Sequence, residues 1–547
     1  MTRRSISGWL FVCAACGEPS SPADDVTGGG PGGSEGGSEA GEASAGTNPG
    51  TTDATTSSPS TTDDGSESSA DESGSESGDD STGGEPTTTA VCNGDGVCDR
   101  DLDETCAACP DECGSCEIED LPNQRAKYVD EACPNMGDGL VDTCADSNGG
   151  PGRFNSLQPA LQSLVAGDTL YVHPGDYWRD VEASDSGAVH SLGEDQDGTL
   201  EQPIVVTAAD RNALPVLWSC DPSGAQHCPA PAFAAYGDYV VIDHLAIRGR
   251  AQIWGGSHST LQYLDCTVGW GACGDGNWSC LRIESSVNGH AHHNNVHDIE
   301  GDGVGGACDP GEPVDFEDRG CGLKEFSSDG AVWEFNTVVA PPRWGYDLHR
   351  NSMRTTIRFN EFVDVYQGIT IARTVNPKVY GNVIRGNGTT AESCTFVQLL
   401  NENAEAEPHL AEVHHNTCIA AQSGVSVQWE VPADVHDNVF SGLISASESP
   451  RNVELQVIES ADHNAYDSAG NFRRVTYEPD TYSETLADWQ AATSQDASSI
   501  AADGGPCTFV DAPNDLHIVE GECATLGSDG GPVGPYAITS CVGHECG

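Results

Sequence analysis

One short phrase recurs along the second half of the chain: an Asn that follows an alternating stretch and precedes apolar residues, as in "AVWEFNTVV" and "TTIRFNEFV". The series, with steps of 41, 24, 22, 34, 22 and 26 residues, is Asn295, Asn336, Asn360, Asn382, Asn416, Asn438 and Asn464. Asp243 and Asp265, 22 residues apart, extend it upstream. Such short strands cannot bury a face alone, but they can if each repeat is one turn of a stacked coil. The sequence therefore predicts an all-β fold, a right-handed parallel β-helix.

The recurring Asn has an expected role at the bend between two strands of a turn. An Asn tolerates left-handed backbone geometry, and its amide can bond turn backbone that would otherwise lack a partner. Stacked on the Asn of the turn below, it would extend a ladder along the axis. The two longest steps predict protruding loops at residues 299–322 and 388–408, where we expect functional residues.

Composition divides the 547 residues into four parts. Residues 1–16 are predicted to be a signal peptide with a lipobox. Residues 17–90 contain 16 Asp and Glu but no Lys, Arg, Phe, Trp or Tyr, which predicts a disordered acidic linker. Residues 91–117 hold six cysteines and are predicted to be a small Cys-rich disulfide module. Residues 118–547 are predicted to be the β-helix with a C-terminal closing segment.

The N-terminus and the net charge restrict location and partners. Arg3 and Arg4 precede a short apolar run, and the order Ala14, Ala15, Cys16 resembles a bacterial lipoprotein cleavage box with Cys16 as the lipidated residue. This predicts a secreted lipoprotein at the outer membrane or cell surface, with ordinary signal cleavage and free secretion as the alternative. The net charge of −63 excludes nucleic acid as a partner and leaves membrane contact only through the lipid anchor. We expect a monomer.

The 23 cysteines indicate an oxidising compartment. The 24 residues between Cys394 and Cys418 suggest a bridge between adjacent turns. Shorter spacings suggest four local bridges, namely Cys133/Cys144, Cys220/Cys228, Cys507/Cys523 and Cys541/Cys546. Five cysteines remain between residues 266 and 321, so one of them is expected to stay outside a disulfide.

Three stretches resemble the opening turns of the pectate-lyase-like superfamily of polysaccharide-cleaving β-helices: "GDTLYVHPGDYW" (167–178), "PIVVTA" (203–208) and "YVVIDHLAIRG" (239–249). The segment 486–537 is similar to the closing segment of many of these proteins. The resemblance implies the β-helix fold and is much less specific for chemistry.

Nine of the 23 cationic residues fall between Arg319 and Arg385. Because a β-helix keeps successive turns in register, these charges can collect as a strip on one face, which predicts a bound anion such as a uronic-acid polysaccharide. The alternative is that each cation pairs with a neighbouring Asp or Glu. The predicted anion-binding residues are Arg343, Arg354 and Arg373. Tryptophans that can stack on sugar rings, or equally pack in the core, are Trp254, Trp270, Trp278, Trp333 and Trp344.

The same region resembles alginate- and chondroitin-cleaving β-helix lyases, in which a Lys and an Arg on adjacent turns act as base and acid. The resemblance implies that Lys324 removes the proton beside the sugar carboxylate and that Arg350 assists the departing sugar oxygen. A calcium ion on the carboxylate would acidify that proton.

Two further groups of residues are candidate metal ligands. The acidic loop at 297–318 offers calcium the oxygen ligands Asp302, Asp309, Asp315 and Glu317, with simple solvation as the alternative. His293, His414 and His436 each lie two residues before an Asn of the series. They are predicted to be stacking or surface histidines, with transition-metal binding as the alternative.

Three functional hypotheses remain open at this stage. The first is a surface-anchored β-helix that engages an acidic extracellular polysaccharide and cleaves it by β-elimination. The second is a non-catalytic carbohydrate-binding or adhesive protein on the same scaffold. The third is a structural protein without a ligand.

Overall fold

A computed structural model describes residues 124–178, 188–219, 231–267, 279–299, 320–341, 344–349, 352–372, 374–388, 393–398, 410–444, 451–474, 481–503, 505–511, 515–528 and 531–534. The predicted signal peptide with Cys16, the acidic linker and the Cys-rich module lie outside the described residues. Among the helices of the described ranges, none is long and apolar enough to cross a membrane.

The described chain is almost entirely β-structure. In chain order the strands are β1 Arg125–Val129, β2 Asp168–Val172, β3 Asp176–Tyr177, β4 His190–Leu192, β5 Ile204–Ala208, β6 Val216–Trp218, β7 Phe233–Ala235, β8 Val240–Asp243, β9 Ala246–Arg248, β10 Ala251–Trp254, β11 Thr260–Gln262, β12 Asp265–Thr267, β13 Ser279–Glu284, β14 His290–His292, β15 Asn295–Val296, β16 Cys321–Phe326, β17 Val332–Glu334, β18 Thr337–Val339, β19 Trp344–His349, β20 Thr356–Arg358, β21 Glu361–Val365, β22 Gln367–Ala372, β23 Lys378–Tyr380, β24 Val383–Gly386, β25 Ser393–Gln398, β26 Ala411–His414, β27 Thr417–Ile419, β28 Ser423–His436, β29 Val439–Ser441, β30 Arg451–Asp462, β31 Ala465–Asp467, β32 Asn471–Arg474, β33 Thr481–Ser483, β34 Ile500–Ala502, β35 Thr508–Asp511 and β36 Asp515–Glu520. The helices are α1 Leu157–Gln162, α2 Leu486–Thr493 and a 3₁₀ turn at Glu522–Thr525.

The strands stack in three columns of parallel neighbours, which we call faces 1, 2 and 3. Face 1 runs through β4, β7, β10, β13, β16, β19, β22 and β25 into the first halves of β28 and β30, and then β32. Face 2 runs from β1 through β2, β5, β8, β11, β14, β17, β20, β23 and β26 into the second halves of β28 and β30. Face 3 consists of β3, β6, β9, β12, β15, β18, β21, β24, β27, β29, β31 and β34.

The chain visits the faces in the order 1, 2, 3 and then starts the next turn, as in β16, β17, β18 and β19. Apolar side chains from each face meet inside: Leu323 and Tyr346 from face 1, Trp333 from face 2, and Val338 and Phe362 from face 3. This winding confirms the predicted right-handed parallel β-helix for the described residues.

The predicted ladder of stacked amides lies at the corner between faces 2 and 3. Each Asn donates from Nδ2 to Oδ1 of the next, at 2.8–3.1 Å. The members are Asn294, Asn336, Asn360, Asn382, Asn416, Asn438 and Asn464. The prediction of Asn295 was wrong by one residue, because Asn295 is exposed and donates to Asp265 instead.

Two details of the predicted corner are corrected. The left-handed residue is the one before the ladder Asn, for example Phe335 (φ 52°) before Asn336. Asp243 and Asp265 are not ladder positions, since Asp243 is in register with Gln262 on face 2 whereas Asp265 lies on face 3. Their spacing of 22 residues therefore has no structural meaning.

The predicted loops are shorter than expected. Residues 321 and 322 of the first already belong to β16, and the second, 388–408, contains the whole of β25. Three predicted disulfides are present, namely Cys133–Cys144, Cys394–Cys418 and Cys507–Cys523. A fourth joins Cys266 to Cys280, while Cys321 is buried outside these four bridges. Cys220, Cys228, Cys541 and Cys546 lie outside the described residues.

Helices cover both ends of the apolar interior. At the N-terminal end, Leu157 and Leu161 of α1 are fully buried in the core. At the other end, α2 begins after Thr485, whose side chain accepts the backbone N–H of Asp488 as an N-cap. Trp489 of α2 is fully buried and stacks on Phe472 with ring centroids 5.7 Å apart.

Candidate functional site

A row of polar side chains runs along the outer side of face 1. Gln252, Arg282, Lys324, Asp347 and Thr370 are register partners on five successive strands. They point outward because their strand neighbours lie in the core and side chains alternate along a strand. We call this set the polar row.

The charged groups of the polar row form ion pairs. Lys324 Nζ lies 3.3 Å from Asp347 Oδ2, and both side chains are buried, with exposed fractions of 0% and 4%. Arg282 Nη2 lies 2.6 Å from Glu284 Oε2, and the guanidinium lies 5.9 Å from the centre of the Phe326 ring. The row therefore holds two cations and one anion, and Glu284 next to the row supplies the second anion.

Several buried polar atoms on this side of the molecule have no hydrogen-bond partner within the described part of the chain. They include Gln252 Oε1, Thr370 Oγ1, Ser279 Oγ and Ser393 Oγ. Ser279 lies on β13, a strand of the row, and Ser393 lies on β25, the next strand of face 1. Both belong to the column of register partners that contains Trp344 and Gln367. Burying a polar group without a partner costs about 1–3 kcal/mol, so each of these atoms lowers the stability of this side of the molecule.

Aromatic side chains mark one end of the polar row. Trp254 follows Gln252 by two residues on β10, is in register with Glu284, and is 42% exposed. Its ring lies 6.3 Å from that of Tyr236 at an angle of 33°. An exposed indole with a neighbouring phenol is the kind of flat surface on which a sugar ring packs.

The structure describes only some of the residues predicted for the site. Lys324 lies in the polar row, but its ammonium group reaches Asp347 rather than solvent. Trp344 is only 6% exposed and its indole N–H is bonded to Gln367. Trp333 is a core residue, with its indole N–H bonded to Glu325. Arg343, Arg350, Arg373, Trp270, Trp278, Asp302, Asp309, Asp315 and Glu317 lie outside the described residues.

The predicted cationic strip does not form from the described cations. They are ion-paired and lie on different faces, because a turn of the helix has three sides. Arg354, at the corner after face 1, pairs with Asp329 through its Nε at 2.9 Å. The remaining pairs are Lys324–Asp347, Arg358–Glu334, Lys378–Glu412 and Arg385–Glu361. This is the alternative that the sequence left open.

A second line of ionisable groups lies on the outer side of face 2. Glu334 accepts from His290 at 2.9 Å and pairs with Arg358, whose guanidinium donates to the Tyr380 hydroxyl at 2.9 Å. Burial opposes ionisation of Glu334, but His290 and Arg358 outweigh it and hold its pKa well below its ordinary value. The line continues through stacked rings, with His414 4.8 Å from Tyr380.

At the far end of face 2 the histidines take opposite protonation preferences. Burial and the neighbouring His436 and His415 lower the pKa of His414 to about 3, so its ring is neutral. Burial also disfavours the charged form of His436, but a hydrogen bond to Asp437 outweighs it and raises the pKa. Burial raises the pKa of Asp437, while bonds from His436 and Ser528 lower it to about 2.

The fold and the polar row together define the class of this protein. It is a parallel β-helix with a row of polar side chains on one face and aromatic side chains at the end of that row. No protein-family model matches the chain, and no curated protein matches it. Solved structures of similar shape include a pectate lyase Pel9A (16% identity, TM-score 0.43, 60% of this chain and 79% of that chain). Another is a rhamnogalacturonan lyase (13% identity, TM-score 0.38, 74% of this chain and 96% of that chain). A third is an alginate lyase from Paenibacillus sp. str. FPU-7 (15% identity, TM-score 0.38, 53% of this chain and 93% of that chain).

Proposed function

We propose that the outer side of face 1 binds an acidic extracellular polysaccharide. The observation that carries the proposal is the half-exposed Trp254, which lies beside Tyr236 at the end of the polar row. Within that row, Gln252 Oε1 and Thr370 Oγ1 are buried and have no hydrogen-bond partner in the described part of the chain. Sugar rings offer apolar faces to aromatic side chains and hydroxyl groups to polar ones. Trp254 would therefore hold one sugar ring, and the polar row would bond the next units along the helix axis.

The charge of the polar row favours an acidic sugar. Arg282 and Lys324 are the two cations of the row, and each is paired with an anion of the protein. A uronic-acid carboxylate would compete with Glu284 and Asp347 for these cations. Binding is favourable only where the sugar carboxylate shares the cation with the protein carboxylate, because full displacement of Glu284 or Asp347 would leave a buried unpaired charge.

Cleavage by β-elimination is the enzymatic form of the proposal. Lys324 would take the proton next to the sugar carboxylate, the C–H electrons would form the new double bond, and the bond to the leaving sugar oxygen would break with a proton supplied by Arg350. Lys324 must first lose its own proton, and Asp347 Oδ2 at 3.3 Å is a group in position to receive it. The proposed cleavage also includes a calcium ion, which Asp302, Asp309, Asp315 and Glu317 would bind.

The N-terminal sequence suggests where this would happen. Lipidation of Cys16 and the acidic segment 17–90 would tether the β-helix at the cell surface, within reach of extracellular polymers. The alternative function is non-catalytic: a carbohydrate-binding or adhesive surface protein that uses the same face without cleaving its ligand.

Binding is tested with the purified chain on gels of alginate, pectate and chondroitin, with and without calcium. We expect retention on at least one acidic polymer and a loss of about tenfold or more in affinity for Trp254→Ala. Trp178→Ala is the matched control, since Trp178 is 38% exposed but follows β3 on face 3. No retention on any polymer, or equal losses in both variants, would refute the binding proposal.

Cleavage is tested separately by the ultraviolet absorbance of the new unsaturated bond. If Lys324 is the base, Lys324→Ala abolishes the absorbance increase while Lys378→Ala, which breaks the partly exposed Lys378–Glu412 pair on face 2, leaves it unchanged. Activity that survives Lys324→Ala rules out the base assignment. Retention without any absorbance change establishes the non-catalytic alternative.

A further inference from the structure

We propose that His415, His436 and Asp437 form a binding site for a divalent transition-metal ion such as Zn²⁺. One ligand atom from each residue lies within 4.8 Å of the others. His436 Nδ1 is 2.8 Å and His415 Nε2 is 3.7 Å from Asp437 Oδ2. These distances bracket the roughly 3.3–3.5 Å between neighbouring ligand atoms around a tetrahedral zinc with bonds of about 2.0–2.1 Å.

The repeat of the β-helix creates this cluster. His415 and Asp437 precede the ladder residues Asn416 and Asn438 and occupy the same left-handed corner of consecutive turns, with φ of 55° and 57°. Equivalent positions on consecutive turns are stacked about 4.8 Å apart, so their side chains leave the corner in similar directions. His436, the last residue of β28, brings the third ligand to the same place.

Neighbouring groups orient the ligands, as outer-shell partners do in metal sites. Ser528 donates its backbone N–H to Asp437 Oδ1 at 2.8 Å and its hydroxyl to Oδ2 at 2.7 Å. His414 Nδ1 contacts His415 Nδ1 at 2.9 Å, which leaves His415 Nε2 directed at Asp437. Two imidazoles and one carboxylate suit zinc and related first-row ions better than calcium, which takes oxygen ligands.

A metal ion can reach the cluster from solvent. The side chains of His415 and His436 are 17% and 29% exposed, whereas Asp437 is fully buried beneath them. With three protein ligands, the ion would keep one position for water or another molecule. Because Asp437 also holds Ser528, a bound ion would tie β28 to the segment around residue 528. This site is independent of the polysaccharide proposed for face 1.

The test is calorimetry of the purified full chain, stripped with a chelator, against Zn²⁺ and against Ca²⁺. We expect one tight Zn²⁺ site per chain that Ca²⁺ does not fill, and a loss of affinity of about tenfold or more in both His415→Ala and His436→Ala. The absorption spectrum of added Co²⁺ should report coordination by nitrogen in the wild type, and this signal should be lost in the two variants.

His293→Ala is the matched control. His293 holds the same left-handed corner on an earlier turn (φ 53°) and makes the same ring contact, with its Nδ1 2.8 Å from His292 Nδ1. Its ring, however, stacks between Tyr263 and Phe335. This variant should bind Zn²⁺ like the wild type. Zn²⁺ binding that persists in both His415→Ala and His436→Ala would place the ion on other residues, and absence of tight binding to the wild type would equally overturn the proposal. His415→Gln, which keeps the side chain polar, separates loss of a ligand from loss of folding.

Discussion

Each ladder Asn satisfies two backbone groups of the turn before it. Asn382 accepts the backbone N–H of Asn360 at 3.0 Å and donates to the Ile357 carbonyl at 2.8 Å. These groups are buried at a corner where the strands of one turn end, so the β-ladders cannot pair all of them. An amide of fixed length, repeated at every turn, supplies the donor and acceptor, and truncating it leaves buried groups without partners.

We expect Asn294→Ala to lower the free energy of unfolding by about 2–4 kcal/mol, because the Leu264 N–H and the Leu261 carbonyl lose their partner. Asn295→Ala, one residue along the chain, is the matched control. Asn295 is exposed, so its loss should cost about 0.5 kcal/mol or less. Urea unfolding followed by circular dichroism measures both, and equal losses would contradict the ladder assignment.

The ion pair between the buried Glu334 and the partly exposed Arg358 predicts a pH effect on stability. The folded-state pKa of Glu334 lies below its ordinary value of 4.5, so its stabilisation is fully present above that pH and is lost as the pH falls through the folded pKa. Glu334→Gln should therefore lower the free energy of unfolding by about 3 kcal/mol at pH 7 and by less at pH 3. Denaturant unfolding of the wild type and the variant at pH 7 and pH 3 measures how much the difference between their free energies of unfolding decreases.

The control for this prediction is Glu361→Gln. Glu361 pairs with Arg385 on face 3, but its side chain is 40% exposed. Exposed pairs contribute about 0–1 kcal/mol, so this variant should differ little from the wild type at either pH. A difference between Glu334→Gln and the wild type that does not narrow on acidification would be inconsistent with an ionised Glu334.

At the residue scale, the sequence predicted the positions of the ladder asparagines to within one residue. The spacing of the asparagines predicted the ladder, but "HHNNV" offers two adjacent Asn and only the register of β14 with β17 distinguishes them. The polar row had a usable signal that was missed. Arg282, Lys324, Asp347 and Thr370 precede their ladder Asn by 12, 12, 13 and 12 residues, as 294 − 282, 336 − 324, 360 − 347 and 382 − 370 give.

At the scale of the strands, four strands of face 1 (β16, β19, β22 and β28) have a glycine as their second residue, which lets faces 1 and 3 approach. An ideal Cβ on Gly345 would lie 2.4 Å from Phe362 Cδ1 and 2.8 Å from the Gly368 carbonyl oxygen. Gly322, Gly368 and Gly424 meet Val338, Ile384 and Phe440 in the same way on other turns. The glycines therefore set the position of the apolar side chains of face 3.

Gly345→Ala should destabilise the protein by about 1–3 kcal/mol, because the new methyl group displaces Phe362 or the neighbouring strand. Gly175→Ala is the control, since its Cβ would meet Tyr177 at an ordinary 3.6 Å. That variant should be neutral or slightly stabilising. Denaturant unfolding compares the two, and a neutral Gly345→Ala would show that face 3 can move away at little cost.

The strands could be predicted from alternation, but their connections could not. The step of 34 residues was interpreted as one loop at 388–408, whereas β25 lies inside it and its Cys394 is bridged to Cys418 on β27. "SCTFVQ" is short, and its strand pairs with β22 and β28, whose positions depend on the whole stack. The partner of Lys324 was missed for a related reason, because Asp347 is adjacent only after two faces have been traversed.

At the scale of the whole molecule, a solenoid is most exposed at its ends. Each interior turn has a neighbour on both sides, but the last turn needs a cover for its apolar interior and for the end of the ladder. Asn464 donates to Asp496 Oδ1 at 3.2 Å, and its backbone N–H is accepted by Ser499 Oγ at 2.8 Å. Trp489 donates to Asp496 Oδ2 at 2.7 Å and covers Phe472.

Trp489→Ala should therefore loosen the C-terminal end before the middle of the β-helix. Removing a buried Trp costs about 3–5 kcal/mol. Because each turn of the stack contacts only its neighbours, this loss should destabilise first the terminal turn that Trp489 covers. Amide hydrogen exchange should rise by about a hundredfold or more in β32 and the second half of β30, while β16 to β20 keep their protection. Trp178→Ala, which removes a partly exposed indole, should change neither region. If exchange rose equally in all these strands, the β-helix would unfold as one unit, and the covering of the end by α2 would matter to every turn alike.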